Sequence, residues 1–114
     1  MPRPQRSRRI CREPACSGFS PEGASGADDI VLSIDEFEVI RLVDLEKQTH
    51  EQCARRMDVS RTTVTEIYES AREKLAAALV GGRRLVIAGG NYHLCDGGAP
   101  CANPSCRCHT HKAE

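Results

Sequence analysis

The run CDGGAPCANPSCRCHTHKAE at residues 95–114 gathers most of the soft-metal ligands of this 114-residue sequence. It holds Cys95, Cys101, Cys106, Cys108, His109 and His111, with His93 just ahead. A tetrahedral zinc site takes four such ligands, and thiolates also suit copper(I) or an iron–sulfur cluster. The glycines, prolines and Asn103 between them let a short chain fold around an ion. The spacing is not the paired C-x2-C of a zinc ribbon, so the residues define a soft-metal site, zinc ahead of an iron–sulfur cluster, without naming the ion. Two other chemistries fit the same side chains: a tail of redox-active thiols, or disulfides in an oxidising setting. Cys11 and Cys16 flank REPA near the other end; their four-residue gap could hold a metal, but a lone pair is a weak signal, and the sequence leaves open whether they join the tail site.

A second group lies mid-chain. Arg55, Arg56, Ser60, Arg61, Thr62, Thr63, Thr65 and Glu66 fall within a stretch of twelve residues. Their chemistry suits nucleic acid. Arginine takes a guanine edge bidentately, threonine offers a hydroxyl or packs on a thymine methyl, and glutamate accepts from cytosine. Arg61, Thr62, Thr65 and Glu66 are the expected base-facing set. Arg55, Arg56, Ser60 and Thr63 suit phosphates, where charge and short donors fix register. The competing account of each is a solvated helix residue, and Glu69 and Glu73 are read as solvent-facing.

These side chains need helices to place them. In SIDEFEVIRLVDLEK, Ser33 with Glu36 three places on makes a capping box, and Ile34, Phe37, Ile40, Val43 and Leu45 recur near helical spacing. Thr49 with Gln52 repeats the capping pattern ahead of a short helix, EQCARRMD. Ser60 opens a third helix, with Val64, Ile67, Tyr68, Ala71, Leu75 and Leu79 on one stripe and Gly81-Gly82 at its end. RRLVIAGGNY reads as a short strand and a glycine turn. Three closely spaced helices with a tight turn before the third predict a helix-turn-helix. Ala54 is the small residue where two helices cross. Asp58 takes the positive-φ position of the turn, Val59 plugs it, and Cys53, Met57, Val64 and Ile67 face inward.

Composition bounds the rest. The length allows one small domain plus a tail, and with no Trp, two Phe and two Tyr the core must be mostly aliphatic. No apolar stretch approaches the roughly 20 residues that cross a bilayer, and no apolar run follows the basic MPRPQRSRRICREP, so a membrane partner and a signal peptide are not expected. A cytoplasmic location follows, which favours thiols or metal ligands over structural disulfides. The net charge is zero, but residues 1–12 carry five arginines and no acid, whereas residues 13–46 carry nine acids against Arg41 alone. Residues 47–84 carry eight bases against five acids. Local fields, not the total, decide nucleic-acid binding. No catalytic constellation is present: AGGNY lacks the lysine and spacing of a phosphate-binding loop, and His50 is read as an exposed helix-start residue.

The stretch VSRTTVTEIYESAREKL resembles region four of bacterial sigma factors. The wider chain, through MPRP, RRIC, LSIDEFEVIRLVDLE and GGNY, resembles the small prokaryotic proteins of domain of unknown function 134, over about residues 1–92. That resemblance implies a DNA-binding fold with a sigma-region-four-like domain, and a regulatory role. It says little about residues 95–114.

The expectation is therefore a mainly α chain. It has a basic arm and loop at 1–30, a three-helix helix-turn-helix domain at 31–92 with short extended segments at its ends, and an irregular Cys/His-rich tail at 93–114. The expected function is sequence-specific binding of double-stranded DNA in transcription regulation, modulated by metal or redox state at the tail. RNA polymerase and a second copy of the chain are the further partners considered. The alternative is a protein-interaction or metal-carrier module, with the acidic segment 28–46 as its surface.

Overall fold

Ser33, Thr49 and Ser60 each start a helix in the computed structural model, which describes residues 7–11, 13–23 and 28–94. The expected tail ligands Cys95, Cys101, Cys106, Cys108, His109 and His111 lie outside the described residues. Helix α1 spans Ile34–Ile40, α2 His50–Met57 and α3 Arg61–Gly81. Both predicted capping boxes form: Ser33 with Glu36, and Thr49 with Gln52. Each satisfies two helix-end amides reciprocally, so the short α1 and α2 begin at defined residues. Gly82 ends α3 at φ 63°, and the Arg83 amide reaches back to the Ala78 carbonyl at 2.9 Å.

α1 does not stop at Ile40. Residues Arg41–Leu45 continue it as one wide π turn, with the Glu46 amide on the Arg41 carbonyl. Widening the turn shifts the phase of the side chains that follow. Leu42, at ordinary helical spacing from the buried Glu38 and Val39, is fully buried, whereas Leu45, expected on the apolar stripe, is 75 % exposed. Val39 also carries the core, while Ile34, Phe37 and Ile40 are only partly buried. The α3 stripe also departs from expectation at its far end, with no change in the helix type. Ala78 is buried there and Leu79 is 83 % exposed.

Five short strands accompany the helices: β1 Arg8–Ile10, β2 Gly18–Phe19, β3 Ile30–Leu32, β4 Leu85–Ile87 and β5 Tyr92–Leu94. β4 lies between β2 and β3, antiparallel to β2 and parallel to β3. β1 pairs with β5 in parallel, Ile10 opposite Leu94. The described parts of the first thirty residues are thus paired with strands that follow α3. Gly89 and Gly90 make the turn between β4 and β5 at φ 78° and 102°. A side chain at Gly90 would stand 2.5 Å from Asp35 Oδ1, so the glycine is needed both for its φ and for close passage over α1.

The core has two parts. Ile10, Val39, Leu42, Cys53, Ala54, Met57, Val64 and Ile67 pack between α1, α2, α3 and β1. Leu32, Ala71, Ala78, Leu85 and Ile87 pack between α3 and the three-stranded sheet. α3 contributes to both, through Val64 and Ile67 at one end and Ala71 and Ala78 at the other. Among the described residues no helix is long and apolar enough to cross a membrane.

Candidate nucleic-acid interface

The link from α2 to α3 is three residues long and tightly bonded. Asp58 sits at φ 59°, ψ 46°, the left-handed position its side chain tolerates better than most. This lets the Val59 amide return to the Ala54 carbonyl at 3.0 Å, the six-to-one bond of a Schellman motif. Val59 then packs on the core cluster. Ser60 turns the chain into α3, its hydroxyl accepting from the Thr63 amide at 3.1 Å. Beneath the link, Ala54, Cys53, Met57, Val64 and Ile67 are all buried. The Cys53 thiol donates to the Met57 sulfur at 3.7 Å, and burial pushes its pKa up to about 12, so it serves as an apolar filler rather than a thiolate.

The α3 residues picked out for chemistry separate into two sets. Arg61, Thr62 and Glu66 are exposed on its first two turns, with Ser60 and Arg55 exposed beside them. The others are engaged within the fold. Thr63 Oγ1 lies 2.9 Å from Ser60 Oγ. Thr65 Oγ1 shares a 2.9 Å hydrogen bond with His50 Nδ1. Arg56 is half-buried and pairs with Glu46 at 3.6 Å.

His50 departs from the expected exposed helix start. It is half-buried, bonded to Thr65, and packs edge-on to Tyr68 with ring centroids 5.0 Å apart. The Tyr68 hydroxyl donates to Asp44 at 2.8 Å and accepts from Arg72 at 2.7 Å. This network fixes the start of α2 against α3. No local spacing announces it, because its partners are 15 and 24 residues apart.

Arg9 is a second residue whose place only the fold reveals. Its guanidinium donates to the Arg56 carbonyl at 2.9 Å and the Arg55 carbonyl at 3.1 Å. A cation on the last carbonyls of α2 complements the negative end of the helix dipole, just ahead of the turn into α3.

The acidic segment is neutralised rather than displayed. Glu38 is almost fully buried and takes both arms of Arg41, at 2.9 and 2.8 Å. Those bonds raise the Arg41 pKa, aided by Glu46, which Arg41 also contacts. Asp35 lies 3.7 Å from Arg8, and Asp29 lies 3.1 Å from Arg84. Burial pushes the Glu36 carboxyl up, but hydrogen bonds from Lys74, Ser70 and the Ser33 amide outweigh it and hold its pKa below the ordinary value. Among the described residues no three His, Cys, Asp or Glu side chains gather as a metal site.

A short helix, a left-handed turn and a long helix with exposed first turns thus define a small helix-rich protein edged by short strands. The chain matches the family model described as protein of unknown function DUF134 over residues 1–95, and it belongs to that family. It is 48 % identical over 99 residues to a UPF0251 protein of Desulfitobacterium hafniense, covering 85 % of this chain and 79 % of that one. It is 48 % identical over 96 residues to a UPF0251 protein of Pelotomaculum thermopropionicum, covering 82 % and 73 %. Against a UPF0251 protein of Thermoanaerobacter pseudethanolicus the identity is 45 % over 98 residues, covering 84 % and 83 %. No solved structure matches the chain.

Proposed function

We propose that this protein binds double-stranded DNA sequence-specifically through a helix-turn-helix made by α2, the Asp58–Val59 turn and α3, and that it regulates transcription. One observation carries the reading. The first two turns of α3 are anchored from below by Val64 and Ile67, while Arg61, Thr62 and Glu66 stand free above. That is the arrangement in which a recognition helix lays its amino-terminal residues in the major groove. Arg61 reads a base edge, and Thr62 and Glu66 flank it. Ser60, Arg55 and the first amides of α3 meet phosphate, where the positive end of the helix dipole favours an anion. Thr65 acts indirectly, through His50, by holding α2 against α3, and Arg56 through Glu46, by tying α2 to the end of the π turn.

Pairing of Asp29, Asp35, Glu36, Glu38 and Glu46 with bases leaves segment 28–46 a weak acidic surface. This disfavours the alternative of an acidic protein-docking module.

The test is selection of genomic fragments on the purified full chain, then equilibrium binding to the enriched site. Arg61→Ala should weaken specific binding by about 1–3 kcal/mol and relax preference at one base position, with unfolding unchanged. No enrichment above non-specific DNA would sink the proposal.

A further inference from the structure

The last turns of α3 carry more apolar surface than the fold covers. Residues 75–80 read LAAALV. The inward side uses Ala78, which is buried, and Leu75, which packs partly against the second core cluster. Ala76, Ala77, Leu79 and Val80 are exposed, Val80 by 90 %. At about 3.6 residues per turn, these four fan across the outward half of the helix. A helix that is apolar all round is normally a covered one. The earlier turns of α3 have an ordinary solvent face, with Glu66, Glu69 and Glu73 on the outward line that continues into Ala76 and Val80.

The charges beside this patch differ at its two ends. Glu69 and Glu73 are exposed, and their carboxylates have no hydrogen bond or ion pair among the described residues. At the other end, the Arg83 guanidinium donates to the Asp28 carbonyl at 2.7 Å and meets no carboxylate among the described residues. Glu69 lies seven residues before Ala76, and Arg83 seven residues after it. Along the helix the surface thus runs acid, apolar, base, centred on a small residue.

We propose that this face, from Glu69 to Arg83, is the interface of a two-fold dimer of the chain, with the two α3 helices antiparallel and the axis at Ala76. A two-fold contact uses the same surface on both copies, so the surface must carry its own complement, as this one does. The antiparallel arrangement sets Glu69 of each copy, about 10 Å from the axis at roughly 1.5 Å per residue, beside the partner's Arg83. Ala76 lets the helices approach closely, and Leu79 and Val80 of both copies leave water on either side of it. A partner of one charge sign would be repelled at one end of the face, which favours a second copy. The residues involved lie outside the two core clusters, so each copy keeps its own fold. The proposal is independent of DNA binding.

The test follows the mass of the reduced full-length chain by sedimentation equilibrium over a concentration series. Reductant removes any dimer joined through cysteines. A monomer–dimer equilibrium with no larger species is expected. Leu79→Ser combined with Val80→Ser should shift it to monomer and leave urea unfolding of the dilute monomer unchanged, because both side chains are already exposed. Glu69→Arg and Arg83→Glu should each weaken the dimer roughly five-fold, since two symmetry-related pairs turn repulsive together. An equimolar mixture of those two variants should form a heterodimer, in which both contacts are again opposite in charge. A chain that is monomeric at every soluble concentration overturns the proposal. So does a dimer untouched by the Leu79 and Val80 changes, or a mixture of the charge variants that associates no better than either alone.

Discussion

Arg61, Thr62 and Glu66 take their interest from being left over. The other side chains of the first two turns of α3 have work inside the protein: Val64 and Ile67 in the core, Thr63 on Ser60, Thr65 on His50. Asp58 matters for backbone geometry. At φ 59° a β-branched side chain meets its own carbonyl, which costs roughly 1–2 kcal/mol. Asp58→Val should destabilise the protein by about that amount in urea unfolding, with an unchanged slope. If stability is unaffected, the turn has another backbone conformation in solution. Spacing alone showed Asp58 and Ala54 their places, because the turn geometry is set by adjacent residues. It could not show the place of His50, whose partners come from other elements.

At the level of elements, α2 is short. Eight residues cannot hold a helix alone in water, so its stability comes from its ends and its buried face. Thr49 and Gln52 cap the first turn, and Arg9 from β1 caps the last carbonyls. Arg9→Ala should therefore cost about 1 kcal/mol and increase amide exchange at the end of α2 before it does so in α3. Equal exchange throughout α2 in the variant would argue against a capping role. The helix starts were legible because capping boxes are local chemistry. The π turn at 41–45 was not, since the residues RLVDL suit an ordinary helical turn equally well. It was visible only through its effect, the exposure of Leu45.

For the whole molecule, the acids of segment 28–46 are a means of joining elements. Glu36 ties α1 to α3 through Ser70 at 2.6 Å and Lys74 at 2.8 Å. Its folded pKa lies below the ordinary 4.5, so unfolded chains bind protons there before folded ones do. The stability it contributes is thus fully present above pH 4.5 and is lost as pH falls through the folded value. Melting temperatures of wild type and Glu36→Gln should differ at neutral pH and converge as the solution is acidified below 4.5. A gap that persists in acid would mean the glutamine disturbs packing rather than the ionic contact.

Sequence by itself determined where the three helices begin, the residue that turns left-handed between α2 and α3, the buried set Cys53, Ala54, Met57, Val64 and Ile67, and the family. Each depends on neighbours within a few positions, or on the ordered blocks of the chain. Tertiary structure alone decided which arginines are spent inside the fold, that the acidic segment is neutralised, and that Arg8–Ile10 runs parallel to Tyr92–Leu94. These are pairings between residues far apart in the chain, where one-dimensional spacing carries no information about distance.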